Sequence, residues 1–276
     1  MAFKTTRAVL LPALLSAFAG VSAPPAAAEQ LLTHPFSTLP VSTSAVASGV
    51  MQRGETLEYE IYWGIINVGR SFLRIENVVD IASRPAWHIV SGAKSSSFIN
   101  NFYKVNDRNE SWMDTETYNS YGYYKKLSEG KYFFNEWVIF DLPGAKYYGQ
   151  KMNRKREVSQ FEGVLGHPVN DMLSAIFRLR VMKLETGGSV EIDVNTKKNW
   201  RLVIKTGKKE KIETPYGKKK CLQVEPMAGE EGLFVAKAGK RMLVWITDDE
   251  LKLPMVLKAE IFIGSITAKL VRREIR

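Results

Sequence analysis

From Gly54 onward the chain alternates. In "GETLEYEIYWGIINVGRSFLRI", residues 54–75, Leu57, Tyr59, Ile61 and Trp63 fall on one side of an extended backbone, with Glu58, Glu60 and Tyr62 on the other. That period of two is the signature of a half-buried strand. Gly64 and Gly69 interrupt it where a turn or bulge would bend the backbone. Alternation returns in "PAWHIVSGAK", "FYKVNDRNESWMD", "NSYGYYKKLSEGKYFFNEWVIFDL", "SVEIDVNT", "NWRLVIKT", "KCLQVEP", "RMLVWITDD", "PMVLKAEIFI" and "ITAKLVRREI", with Gly, Asn, Asp or Pro at most junctions. Near the end, Leu257, Ala259, Ile261 and Ile263 share a side opposite Lys258, Glu260 and Phe262. The pattern predicts a long antiparallel meander with one dry and one wet face.

One segment breaks the alternation. "HPVNDMLSAIFRLRVMKLETGG" spaces Met172, Ile176 and Leu179 by four and three, with Leu173 and Phe177 beside them. The spacing predicts an amphipathic helix from Asp171 to Met182, capped by Asn170 or Asp171. Arg178, Arg180 and Lys183 complement its negative end, and Gly187-Gly188 stops it. The fold class is therefore all-β, mainly antiparallel: a curled sheet, half-open roll or barrel, with one helix packed against its open face or mouth. Residues 54–276 read as a single domain, and the Ser/Thr/Ala/Pro-rich stretch 29–53 as a flexible arm.

The first residues change the picture of where such a protein works. Lys4 and Arg7 precede an apolar run from Ala8 to Val21, followed by small residues ending at Ala28. This is the pattern of a cleavable secretory signal over 1–28, too short to span a bilayer. No later stretch is apolar enough for a transmembrane segment, and no cysteine near Ala28 offers a thiol for acylation, so the expected product is periplasmic and not a lipoprotein. The 39 Lys and Arg exceed the 29 Asp and Glu. Removal of the leader leaves a net charge of about +8. An exported basic protein meets anionic lipid, glycolipid or cell wall rather than nucleic acid, and the basic residues fall in small groups suited to solvated turns. Cys221 stands alone, which rules out an intrachain disulfide and suits a small buried side chain.

Catalytic chemistry finds little support in the pattern. His34 lies in the arm, His88 follows Trp87 in a strand, and His167 precedes Pro168; none has a ligand partner at metal-binding spacing. Ser174 lacks the flanking glycines of a nucleophile elbow. The acids Asp107, Glu110, Asp114 and Glu116, and Asp248, Asp249 and Glu250, have no calcium-loop spacing and suit turn caps and cross-strand pairs. No catalytic, metal or cofactor residue is assigned. Aromatic density is the stronger signal: Tyr118, Tyr121, Tyr123, Tyr124, Tyr132, Phe133, Phe134, Trp137 and Phe140 crowd two strands, more than one small face has to bury. Lys and Arg along the outward faces and a terminal Arg276 argue against an outer-membrane barrel.

Several stretches together resemble one family: the opening at 54–75, "KVNDRNESWMD", "DMLSAIFRLR", "KKEKIETPYGKKKCLQVEP" and "VWITDDELKLPMVLKAEIFIGSITAKL". In order and spacing they are similar to the bacterial domain-of-unknown-function family 3108, from about Gly54 to Leu270. The resemblance implies an exported, Gram-negative protein with a curled antiparallel sheet and brings no established activity. It draws attention to Glu55, Asp107, Arg108, Asp114, Arg178, Arg180, Asp248 and Asp249, charged residues able to pair across strands, and to turn residues such as Gly64 and Gly217.

The reading that follows is a non-catalytic envelope protein binding an amphipathic lipid or glycolipid. Tyr59, Trp63, Phe72, Trp87 and Trp245 would form its concave aromatic face, and Arg178 and Arg180 would stand at its rim. The competing expectation is an assembly protein that holds protein or cell-wall partners by sheet edges and surface tyrosines.

Overall fold

The computed structural model describes residues 31–46, 49–227, 241–261 and 263–276. The expected leader, 1–28, lies outside the described residues. The described residues form fourteen strands, most of them where the sequence alternates. The first half comprises β1 (Glu55–Trp63), β2 (Ile66–Ile81), β3 (Arg84–Ser95), a one-turn helix α1 (Ser97–Asn100), β4 (Asn106–Asp114), β5 (Ser120–Glu129), β6 (Tyr132–Asp141), β7 (Lys146–Met152) and β8 (Val158–Val164). After α2 (Met172–Val181) come β9 (Ser189–Asn195), β10 (Asn199–Thr214), β11 (Gly217–Met227), β12 (Met242–Thr247), β13 (Pro254–Glu260) and β14 (Ser265–Ile275). All belong to one antiparallel sheet in the order β8-β7-β6-β5-β4-β3-β2-β1-β14-β13-β12-β11-β10-β9. The first and last strands pair at its centre, Tyr59 opposite Leu270, so two meanders are welded along β1 and β14.

The sheet curls but does not close. Its edges, β8 and β9, are neighbours in sequence, and no ladder joins them. Side chains span the seam instead: Asn199 Nδ2 donates to the Val164 carbonyl at 3.0 Å, the Tyr147 hydroxyl donates to the Lys197 carbonyl, and Lys197 Nζ lies 2.8 Å from Glu136. Gly64, at φ +58°, makes the β1–β2 turn. At Gly69 the strands run so close that a Cβ would sit 2.3 Å from the Lys94 carbonyl oxygen, so no other residue fits without moving backbone.

The α2 helix fills the curl. Asp171 caps it, its Oδ1 accepting from the backbone of Leu173 and Ser174 at 2.8 and 3.1 Å. Its Oδ2 accepts from the hydroxyls of Ser111, Ser120 and Ser174 at 2.5 to 2.9 Å, which ties the helix start to β4 and β5. A buried carboxylate is sustained by such a set of donors. Leu173 and Phe177 join the core of Leu57, Tyr59, Leu73 and Leu270, while Met172 and Ala175 join a second cluster with Ile192, Leu202, Val224 and Ile246. One helix thus separates the two halves of the curl and is buried almost all round.

Residues 31–46 differ from the free arm that composition suggests. They strap the convex face of β2–β6, where Leu32, Phe36 and Leu39 pack on Trp112, Tyr124, Trp137 and Ile139. His34 is buried and stacks on Trp112 with ring centroids 4.1 Å apart, and Ser42 bonds the Val78 carbonyl through its backbone and Asp80 through its hydroxyl. The physical reason is the aromatic excess on β4–β6: rings that point away from the core need a cover, and the segment supplies it at the entropic cost of ordering a few residues.

Candidate functional site

Beneath α2 the concave face is not completely filled. One cleft lies between the helix and β10–β13, walled by Met172, Leu179, Leu202, Val224, Val244 and Ile246; the space it spans, open solvent included, is about 690 Å³. A second, of about 1020 Å³ on the same measure, lies along β1–β4 beside Tyr59, Ile61, Val68, Ile99, Tyr103 and Ala268. Leu73, Ile176 and Leu257 border both, so the clefts meet under the middle of α2. The first is apolar along nearly its whole wall. The second has a polar end built by Ser91, Asp107, Asn109 and Glu129.

That end owes its chemistry to strand register. Ser91, Asn109, Lys125 and Glu136 are successive cross-strand partners on β3 to β6, all on the concave side. Asp107 Oδ1 accepts from the Ser128 backbone at 2.8 Å. Burial raises the Asp107 carboxyl above the usual carboxylate range, against the opposing pull of its donors and Lys126. Asn109 is buried and its Oδ1 has no hydrogen-bond partner. Lys125 is buried too, and desolvation lowers its ammonium from the ordinary lysine value despite Glu136 opposite. Its Nζ lies 5.5 Å over the Tyr123 ring.

The residues singled out from sequence scatter. Tyr59 lies on the concave wall, its hydroxyl donating to the Pro254 carbonyl at 2.9 Å. Trp63 is half-buried at the end of β1, with Nε1 donating to the Ile263 carbonyl. Trp87 faces inward but is packed solid in the core. Phe72 is a correction: it pairs with outward Glu58, and its ring lies over Gly92 with the Arg74 guanidinium 5.1 Å away, at the border of the second cleft rather than across its concave wall. Trp245 is another, since it alternates with the wall residues Val244 and Ile246 and donates through Nε1 to Glu210 at 2.6 Å.

The two arginines are corrections of a different kind. Arg178 donates to Asn119 Oδ1 at 2.6 Å and packs over the β4–β5 turn. Arg180 is buried: it bonds both oxygens of Glu55 at 2.7 and 3.2 Å, the Val50 carbonyl at 2.9 Å and the Leu251 carbonyl at 3.1 Å. Arg180 borders the first cleft but is no free rim cation, because a carboxylate and two carbonyls have claimed its donors; Arg178 is held through Nη1 by Asn119 and the carbonyls of the β4–β5 turn. The Lys-rich β10–β11 hairpin is likewise paired in part, Lys209 and Lys220 with Asp248 and Lys218 with Glu213.

A His–acid pair exists outside the clefts. His88 Nε2 lies 2.7 Å from Glu110, which Arg108 also engages at 2.7 Å, and the His88 ring stacks on Trp112 on the convex side. Among the described residues no group of three His, Cys, Asp or Glu is placed to hold a metal ion. None of their helices is long and apolar enough to cross a membrane.

The sequence matches one family model, described as "Protein of unknown function (DUF3108)", over residues 58–271. The chain belongs to the DUF3108 family. No curated protein matches it. Among solved structures, a beta-barrel-like protein of the DUF1849 family from Brucella abortus aligns with 80% of this DUF3108 chain and 97% of its own, at 9% identity and a TM-score of 0.49. A Bacteroides fragilis protein described as having a YmcC-like fold aligns with 81% of this chain and 96% of its own, at 6% identity and a TM-score of 0.35. The all-β architecture of this family member stands on its own strand order.

Proposed function

We propose that this DUF3108 protein is an exported, non-catalytic envelope protein that holds an amphiphile, with the alkyl part in the paired clefts beneath α2. The observation that carries the reading is the meeting of two largely apolar clefts at Leu73, Ile176 and Leu257 beneath α2. Apolar, concave space with a few convergent polar groups is the common form of a small-molecule site. The leader-like start of the sequence supports a periplasmic location.

The polar end of the second cleft bears on the head group. Asp107, Asn109 and Glu129 line it, whereas Arg178 and Arg180 are already engaged. An amphiphile whose head donates hydrogen bonds, such as a hydroxyl or an amine, suits acceptors of this kind better than a phosphate does.

The test is mass spectrometry of an organic extract from protein purified without detergent, alongside Leu257→Trp. The indole would occupy the junction of both clefts while costing about 1–3 kcal/mol of stability. A stoichiometric amphiphile from the wild type, absent from a folded Leu257→Trp, is the expected result. A blank from the wild type after incubation with envelope lipids would reject the reading and leave the assembly protein as the better account.

A further inference from the structure

Three connections at one end of the sheet carry side chains that a soluble surface would not choose. Ile65 and Ile66 sit at the β1–β2 turn with 95% and 50% of their surface exposed. Phe98 and Phe102, in and just after α1, are 64% and 65% exposed, and Ile263 in the β13–β14 turn is 55% exposed. Register makes these connections neighbours. Gly64 N donates to the Ser265 carbonyl at 3.3 Å, Trp63 Nε1 to the Ile263 carbonyl at 2.9 Å, and Ser96 N to the Val68 carbonyl at 2.9 Å. The Phe98 and Phe102 rings meet edge-on at 5.7 Å, yet no residue of α1 is buried. Single exposed hydrophobes are ordinary; five on adjoining turns form a patch that calls for a partner.

Charge identifies the partner. Residues 61–69, 95–103 and 261–268 contain no Asp, Glu, Lys or Arg, and the borders of these stretches are four cations, Arg70, Lys94, Lys104 and Lys269, and two acids, Glu60 and Glu260. Lys94 and Lys104 are exposed; Arg70 lies 3.6 Å from Glu60. Separate apolar tips ringed mainly by cations match the interface of an anionic bilayer, where the tips enter the acyl boundary and the lysines meet head groups. The second cleft opens at the same end, since Val68, Gly69, Lys94, Ser95, Ile99 and Tyr103 border it.

We propose that this end of the sheet, tipped by Ile65, Phe98, Phe102 and Ile263, docks the protein on an anionic membrane surface with the mouth of the second cleft facing the lipid. The docking stands on exposed side chains and charge alone, so it is independent of what the cleft holds.

The experiment is flotation of the purified protein with vesicles of phosphatidylcholine, with or without phosphatidylglycerol. The wild type should float with the anionic vesicles, less with the neutral ones and less again in high salt. The triple variant Ile65→Ser, Phe98→Ser, Phe102→Ser should keep its thermal midpoint and partition at least about tenfold less, because each removed tip contributes its own apolar burial. An environment-sensitive fluorophore on Ile65→Cys should shift to the blue on anionic vesicles, whereas one on Tyr216→Cys, in the β10–β11 turn, should not. Leu257→Trp should still float, which separates this proposal from the cleft's cargo. Equal flotation of the triple variant, equal blue shifts at both labels, or binding indifferent to phosphatidylglycerol would each overturn it. So would self-association through this end in place of vesicle binding.

Discussion

Arg180 is where the structural and ligand-binding readings part most sharply. Its guanidinium joins four segments: α2, which carries it, the Val50 carbonyl before β1, the Glu55 carboxylate in β1, and the Leu251 carbonyl between β12 and β13. Arg180 is 2% exposed and Glu55 1%. Arg180→Met retains an apolar stem but leaves two carbonyls without this donor and Glu55 with Arg273 alone, at 2.9 Å. Breaking a buried ion pair costs about 3–5 kcal/mol. The surviving arginine argues for the lower end, about 3 kcal/mol, or a fall of roughly 10 °C in thermal midpoint for a chain of this size. Urea denaturation followed by circular dichroism measures it, and a cycle with Glu55→Gln isolates the pair. The double variant should be more stable than the two single losses sum to, by about 1–2 kcal/mol, since each single change strands the partner. A loss below about 1 kcal/mol for Arg180→Met, or strict additivity in the cycle, would refute the buried-tether argument. Reduced amphiphile retention with unchanged stability would restore the rim role.

Other consequences follow from the cap and the strap. Asp171→Ala removes the acceptor for two backbone N–H groups and three serine hydroxyls, and should cost at least about 2 kcal/mol in the same denaturation assay; a loss below about 0.5 kcal/mol would contradict it. Burial pushes the His34 imidazole down to about 4, with the Val138 carbonyl and Glu110 opposing the shift and His88 adding to it. The unfolded chain therefore takes up the proton first: stability is whole above about pH 6.5 and declines as pH falls toward 4, by up to about 3 kcal/mol. The denaturation midpoint of His34→Gln should vary less than that of the wild type between pH 7 and pH 4.5, and parallel curves would count against the assignment. Trp112→Ala, between His34 and His88, should cost about 3–5 kcal/mol and speed protease cleavage within residues 31–46; an unchanged cleavage rate would show that the strap does not depend on the stack.

Much of the architecture is legible in the chain. Alternation from Leu57 to Trp63 and from Leu257 to Ala259 reflects a sheet with one buried face, a pattern that survives almost any arrangement of neighbours, whereas Ile263, expected on the same face, lies beyond the end of β13 at Glu260 and is exposed in the turn. The α2 helix is equally plain, since Met172, Ile176 and Leu179 repeat at helical spacing and Asp171 stands ready to cap. β7 and β8 escape notice because "KYYGQKM" and "VSQFEGV" lie toward an edge, where half-solvated strands do not need a regular apolar face. α1 escapes because one turn is too short to show a period.

Tertiary structure decided the rest, for reasons of phase and proximity. Phe72 and Trp245 leave the concave wall because alternation identifies sides only within one strand, while bulges at Ile61/Tyr62 and Trp245/Ile246 shift the phase between neighbours. Arg180 became a tether rather than a rim cation because Glu55, 125 residues away, lies opposite it in the fold. The aromatic excess on β5 and β6 was visible as composition, but its cover at 31–46 was not, since polar, period-free sequence packs only where a surface already exists to receive it. Residue types and their spacing thus determined a curled sheet with a helix. Which groups face one another across the curl depended on long-range pairing, which no local pattern encodes.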